Sequence, residues 1–232
     1  MTTPYAGHCT ERGYADGQLL GEALFDYPRA IRSNGGRLFV TDTGSHALRL
    51  ITEGRVSTIT KGSSVLHYPQ GLAFTDGFAF ITSSSDLLRL DLLTKSLNKL
   101  TNGTGPTGSL SAAQLTDPIG LALLSPSVLL IADYDRGQLL LANIRNNTVT
   151  EICDGTLATT DGDIRSCQLY DPSSVFMVNQ SVYVGERGLS KDFQWQLSVS
   201  SFCLWRQPQT LQVRTPPSYF NAFFLIIVPR LI

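Results

Sequence analysis

Few side chains in this 232-residue chain are spaced to do chemistry together. It has three histidines, His8, His46 and His67, and no two share the spacing of a metal-ligand pair. The four cysteines, Cys9, Cys153, Cys167 and Cys203, form no Cys-x-x-Cys, which argues against zinc. Cys153 and Cys167 bracket one polar loop and are the candidate structural disulfide, with two free thiols as the alternative. Asp154, Asp161 and Asp163 resemble half a calcium loop but lack its alternating ligands and closing Glu, so a solvated acidic turn is favoured. No Gly-x-Ser-x-Gly, dinucleotide or phosphate-loop spacing occurs. The expectation is a non-catalytic chain with no metal and no cofactor.

Charge points to a binding surface more than to a reaction. Charged residues are only 16% and the net charge is -1, so no broad basic field would draw in nucleic acid. There is one local excess: Arg29, Arg32, Arg37, Arg49 and Arg55 fall within 27 residues. Arg29, Arg32, Arg37, His46 and Arg49 are taken as a candidate binding face. Few aromatics interleave with these arginines to stack bases, which disfavours RNA. Asp42, Asp133 and Glu186 each end an apolar run, and such a carboxylate is expected to accept backbone N–H groups of the next turn. Three sequons, at Asn102, Asn146 and Asn179, are candidate glycosylation sites and mildly favour an extracellular setting.

Those residues must be positioned by short elements. The 42% hydrophobic content excludes a disordered chain, and 20 Gly with 11 Pro favour strands and turns over long helices. A proline opening an apolar run recurs at Pro28, Pro69, Pro118 and Pro172, and the following apolar run ends 14, 14, 15 and 14 positions later, at Asp42, Ser83, Asp133 and Glu186. That register implies a repeat. In the first three copies a third apolar run follows (47–51, 87–90, 139–142), then a fourth (55–59, 96–100, 148–152). The second run is nearly all apolar, as for a strand buried on both faces, and the fourth alternates, as for an outer strand. Four antiparallel strands per 40–50 residues make a β-propeller blade. The candidate core is Phe39, Val40, Leu48, Phe74, Phe80, Ile81, Leu130, Ile131, Val175, Tyr183 and Val184.

Pro28 to Ile59 resembles an NHL repeat. Phe39-Val40-Thr41-Asp42-Thr43-Gly44-Ser45-His46-Ala47-Leu48-Arg49 matches its core, and Gly13-Tyr14-Ala15-Asp16-Gly17 with Ala23 to Pro28 matches its inter-blade segment. Copies return around Asp161-Gly162 with Cys167 to Pro172, and more weakly at Ala113 to Pro118. The second repeat departs, with Ser83 in place of the acid. The resemblance implies an all-β propeller of about four NHL-like blades, partial or open, since six blades is the common closed ring. It implies a scaffold whose loops bind a protein partner or ligand. Single-stranded RNA binding on a basic face, or a truncated relative of an NHL-type lyase, is the alternative. The lyase's zinc-holding histidines cannot be placed here position by position.

The domain division expected is 1–188 for the repeats and 189–232 for an atypical tail. Met1 to Gly7 aligns with a fourth strand, although Pro4 weakens it. The N-terminus shows neither the basic nor the apolar region of a secretory signal. The tail carries both tryptophans, four basic residues and one acidic residue. It is read either as an added docking segment or, preferably, as sequence foreign to the family. Its run Ala222–Val228 is far below the roughly 18 apolar residues of a membrane span, so no transmembrane helix is expected.

Overall fold

Apolar runs of six to eight residues, punctuated by Gly, Asn and Asp, fold as antiparallel hairpins. The structure, a computed structural model, describes residues 5–8, 10–62, 65–102, 108–153, 169–178, 181–186, 211–214, 223–224 and 226–229. It forms two compact units, 1–100 and 101–232.

The first unit holds two blades. A short β1 (Gly17–Gln18) precedes β2 (Pro28–Asn34), β3 (Arg37–Asp42), β4 (Ala47–Thr52) and β5 (Arg55–Lys61), in the spatial order β1-β5-β4-β3-β2. The second blade is β6 (Pro69–Thr75), β7 (Phe78–Ser83), β8 (Asp86–Asp91) and β9 (Leu97–Lys99), in sequence order. The hairpin between β2 and β3 turns on Gly35 and Gly36, both with positive φ (58° and 74°), the geometry that lets a two-residue turn follow the strand twist.

The second unit repeats the plan. It runs β10 (Gly108–Ser109), a 3-10 turn (Leu110–Ala112), β11 (Pro118–Ser125), β12 (Val128–Asp133), β13 (Gln138–Asn143) and β14 (Thr148–Cys153), ordered β10-β14-β13-β12-β11. A fourth blade follows with β15 (Pro172–Val178) and β16 (Ser181–Glu186). Further on come β17 (Leu211–Arg214), β18 (Phe223–Phe224) and β19 (Ile226–Pro229). β18 pairs with β16, and β17 pairs with β19. Strands therefore occur beyond 188, inside the expected tail. Residues 5–7 form a bend instead of a strand, and Met1 to Pro4 lie outside the described residues.

The second strand of each blade is its spine. β3, β7 and β12 are buried along nearly their whole length, as strands between two neighbours and two packed faces must be. In the first unit Phe39, Leu48, Leu66, Leu72, Ile81 and Leu88 join one cluster that bonds blade one to blade two. In the second, Ala122, Leu130, Leu169, Val175 and Val184 bond blade three to blade four. Each Val, Leu, Ile or Phe among them, fully buried, contributes about 1.5–3 kcal/mol. A Cβ at Gly120 would meet the Val175 nitrogen at 3.0 Å, so the first strands of blades three and four touch backbone to backbone there. Of the expected core, Phe74 and Tyr183 are only half-buried, because each lies toward the hairpin tip of its strand pair; the others are buried.

Candidate functional site

Each blade is pinned by one side chain at the end of its second strand. Asp42 Oδ1 accepts the Asp26 N–H at 2.7 Å. Asp133 accepts the Thr116 and Asp117 N–H groups, each at 2.9 Å. Glu186 Oε1 accepts the Tyr170 N–H at 2.6 Å. Ser83 does the same work without charge: its Oγ accepts the His67 N–H at 2.9 Å and donates to the His67 carbonyl at 2.6 Å. In all four blades the amide caught belongs to the residue two before the repeat proline. The acceptors were expected to serve the next turn. They instead hold the preceding one, because antiparallel pairing of the first two strands returns the carboxylate to the proline end. Burial pushes the Asp42 and Asp133 carboxyls up. The Asp26 amide and Arg49 pull against this at Asp42, and the Thr116 and Asp117 amides with Arg136 pull against it at Asp133.

Blade one adds a clamp. Arg49 is fully buried, and one guanidinium nitrogen reaches Asp42 Oδ2 at 2.6 Å and the Leu24 carbonyl at 2.9 Å. The other reaches the Ala15 carbonyl at 2.6 Å and Asp16 Oδ1 at 2.8 Å. The Tyr14 and Phe25 rings cover the guanidinium at 4.8 and 5.0 Å. Burial works to raise the Asp16 carboxyl, yet hydrogen bonds from Thr58 and Arg49 hold it below the usual range. Arg49 thus fastens the 13–25 segment onto its blade. It belongs to the interior, which corrects its place in the candidate binding face. Arg89 lies in the same sequence pattern but pairs with Phe80, one residue out of phase with the Arg49–Val40 pair. A one-residue shift turns a strand side chain to the other face. Arg89 is accordingly exposed, and Leu88 and Leu140 fill the places equivalent to Arg49 in blades two and three.

The exposed chemistry collects where the proline-led strands begin. Tyr27 and Tyr68 each precede a repeat proline, are 64% and 56% exposed, and have left-handed backbones (φ 50° and 47°). A bulky residue in that conformation costs roughly 1–2 kcal/mol. The turn between them ties both down: the Gly44 N–H bonds the Asp26 carbonyl at 2.8 Å, and His46 Nδ1 accepts the Tyr68 N–H at 3.0 Å. The His46 ring meets Tyr68 edge-on at 4.4 Å and His67 at 5.7 Å. Arg12 stacks over Tyr27 at 4.8 Å and donates to its hydroxyl. Thr41 and Thr43 hydroxyls donate to the Gln70 and Pro69 carbonyls at 2.7 and 2.6 Å, sealing the two blades beneath. The result is a rigid end surface of tyrosine, histidine and arginine.

The basic candidates do not form one surface. Arg29 and His46 lie at this end, since Pro28 pairs with Asp42. Arg37 and Arg55 lie at hairpin tips at the opposite end. Arg32 is partly buried, and that burial lowers its pKa. Asn102 and Asn146 are exposed; Asn179 and Cys167 lie outside the described residues, so the Cys153 pairing does too. Tyr27, Tyr68 and Arg12 were missed, although the Tyr-Pro pair recurring at two repeat starts was a readable signal. Among the described residues, no group of three or more His, Cys, Asp or Glu could hold a metal, and no helix is long and apolar enough to cross a membrane.

Comparison with solved structures fixes the architecture. An auxiliary nutrient binding protein from Bacteroides ovatus matches with a TM-score of 0.57 at 13% identity, over 77% of this chain and 52% of that one. The fold is a β-propeller. A nidogen/laminin complex matches at 0.52 with 13% identity, over 70% of this chain and 73% of that one. A catalytically inactive virginiamycin B lyase from Staphylococcus aureus, crystallised with quinupristin, matches at 0.51 with 14% identity, over 71% and 52%. This propeller spans about half the length of the lyase and of the nutrient binding protein. No protein-family model matches the chain, and no curated protein matches it.

Proposed function

We propose that the chain is an NHL-type propeller scaffold that binds a protein partner, or a ligand, without catalysis, through the end surface of Tyr27, His46, His67 and Tyr68. The observation that carries this is the pair of exposed tyrosines at equivalent repeat positions, both held in a costly left-handed conformation. Backbone strain of this kind persists where surrounding structure imposes it, and it collects at ligand contacts. Tyrosine and arginine on a rigid base are the side chains that dominate protein interfaces. The NHL reading rests on the blade-one pattern and on the Asp16–Arg49–Asp42 clamp that joins its two halves. Binding to a nutrient and assembly with laminin are said of the similar structures, and they suit a propeller used as a platform.

Peptide, glycan and single-stranded RNA arrays probed with the full chain test the reading. Binding to a peptide set is expected. It should weaken at least about tenfold in Tyr27→Ala/Tyr68→Ala, since an interface tyrosine contributes upward of 1 kcal/mol. Arg37→Ala, at the opposite end, should leave it unchanged. Equal binding by the double alanine variant would overturn the assignment. Selective capture of single-stranded RNA would favour the alternative.

A further inference from the structure

His46 makes a contact that only one form of its ring allows. Its Nδ1 accepts the Tyr68 N–H at 3.0 Å. A backbone N–H can only donate, so Nδ1 carries no proton and the ring is neutral with its proton on Nε2. The backbone of His46 delivers the ring to this place. Its φ is 51°, its N–H bonds the Thr43 carbonyl at 3.1 Å, and its carbonyl accepts the Gly62 N–H at 2.9 Å. The half-buried ring also meets Tyr68 edge-on at 4.4 Å. A protonated Nδ1 would set one N–H against another, so the ring would have to leave, and the edge-on contact would go with it.

The surroundings offer a charged ring nothing in exchange. The titratable and charged groups around it are His67 and Tyr68 before β6, Lys61 at the end of β5, and Asp42 and Asp26 at the base of its own turn. His67, which is exposed, lies at 5.7 Å and would become a second cation. The Lys61 ammonium sits on the Tyr14 ring at 3.2 Å. Asp42 is taken by Arg49 and the Asp26 N–H, and Asp26 packs against Gly44. Among the described residues, no carboxylate forms an ion pair with either imidazole. The residues flanking Tyr68 are held by other groups. Ser83 Oγ accepts the His67 N–H at 2.9 Å, and the Thr43 hydroxyl donates to the Pro69 carbonyl at 2.6 Å. Loss of the His46 contact therefore reaches Tyr68 and leaves the seam between blades one and two closed. In the second unit Asp171 precedes the repeat proline with φ 53°, as Tyr68 does, and it accepts the Tyr134 hydroxyl at 3.0 Å, a contact with no imidazole in it.

We propose that His46 and Tyr68 form a proton-operated latch, closed while His46 is neutral and opened when mild acid charges it. An imidazole is the side chain whose charge changes between about pH 5 and pH 8. Left-handed strain at Tyr68 pulls against the hydrogen bond that holds it, and the two are of similar size, so one proton is enough to tip the balance. Tyr27 is braced by the Arg12 guanidinium and not by an imidazole, so only the Tyr68 half of the end surface responds. The consequence for binding rests on the function proposed above: a partner held at neutral pH is released in acid.

Amide hydrogen exchange of the full chain by NMR, with the His46 ring followed in the same titration from about pH 8 to about pH 5, tests this. The Tyr68 amide should lose protection about fivefold or more as His46 titrates, the loss of one net hydrogen bond. The His67 amide, held by Ser83, should keep its protection. His46→Asn should remove the response, because asparagine tolerates the left-handed backbone and presents a non-titrating acceptor at the same branch of the side chain. That variant also separates the latch from His8, whose Nδ1 accepts the Glu11 N–H at 3.2 Å. Tyr68 protection that stays constant while His46 titrates, a response that His46→Asn keeps, or a loss shared equally by the His67 amide would overturn the proposal. The parent titration decides even if His46→Asn does not fold. It needs no ligand, so it stands apart from the array experiment: a chain that binds no peptide fails the binding reading and leaves the latch to this result.

Discussion

Arg49 and Arg89 show how far one residue of register decides a side chain's work. Both follow apolar residues in a third strand, and the sequence treats them alike. Arg49 is buried against Asp42 and Asp16, while Arg89 is exposed with its guanidinium over the Phe78 ring at 5.1 Å. Arg49→Met strands the Asp42 carboxylate in the interior and should cost about 3–5 kcal/mol, whereas Arg89→Met should cost no more than about 0.5 kcal/mol. Urea midpoints of the two variants measure this, and similar costs would contradict the phase difference. Asp133 has backbone amides where Asp42 has an arginine. Its carboxyl is raised by burial, so its contribution is fully present below the unfolded value of about 3.9 and is lost as pH rises through the folded value. The parent chain should therefore gain stability relative to Asp133→Asn on acidification from neutral pH, read from urea melts across that range. A pH-independent difference would refute the burial effect. The sequence marks these carboxylates by position, but it cannot show which amide each would take. That depends on the antiparallel return that brings residue 42 beside residue 26.

At the level of elements, the four repeats share one closure with different chemistry. Ser83 breaks the acidic pattern and is still the acceptor for the amide two before the proline. Ser83→Ala leaves the His67 N–H without its acceptor and should destabilise the chain by about 1–3 kcal/mol in thermal or urea melts. No change would show that the catch in blade two is incidental. The strands themselves were legible, since alternation and the 14-residue spacing place β2 to β9 and β11 to β16 within a residue or two. The tail was not legible: its strands between 211 and 229 follow no repeat register. The tyrosines before Pro28 and Pro69 were visible as letters only. Their exposure follows from the left-handed turn, which local pattern does not encode.

At the scale of the whole molecule, a β-propeller supplies rigid blade ends, and here one end of the first unit concentrates aromatic and basic side chains. The composition excluded a broad nucleic-acid surface without naming a partner, because partner choice lies in a few loop residues and not in the repeat. The most direct measurement is hydrogen exchange on the full chain with and without the best array ligand. Slowed exchange is expected at 26–29, 43–47 and 67–70, with residues 34–38 and 52–56 at the opposite hairpin tips unaffected. Protection at those tips, with none around Tyr27 and Tyr68, would contradict the assignment of the binding end.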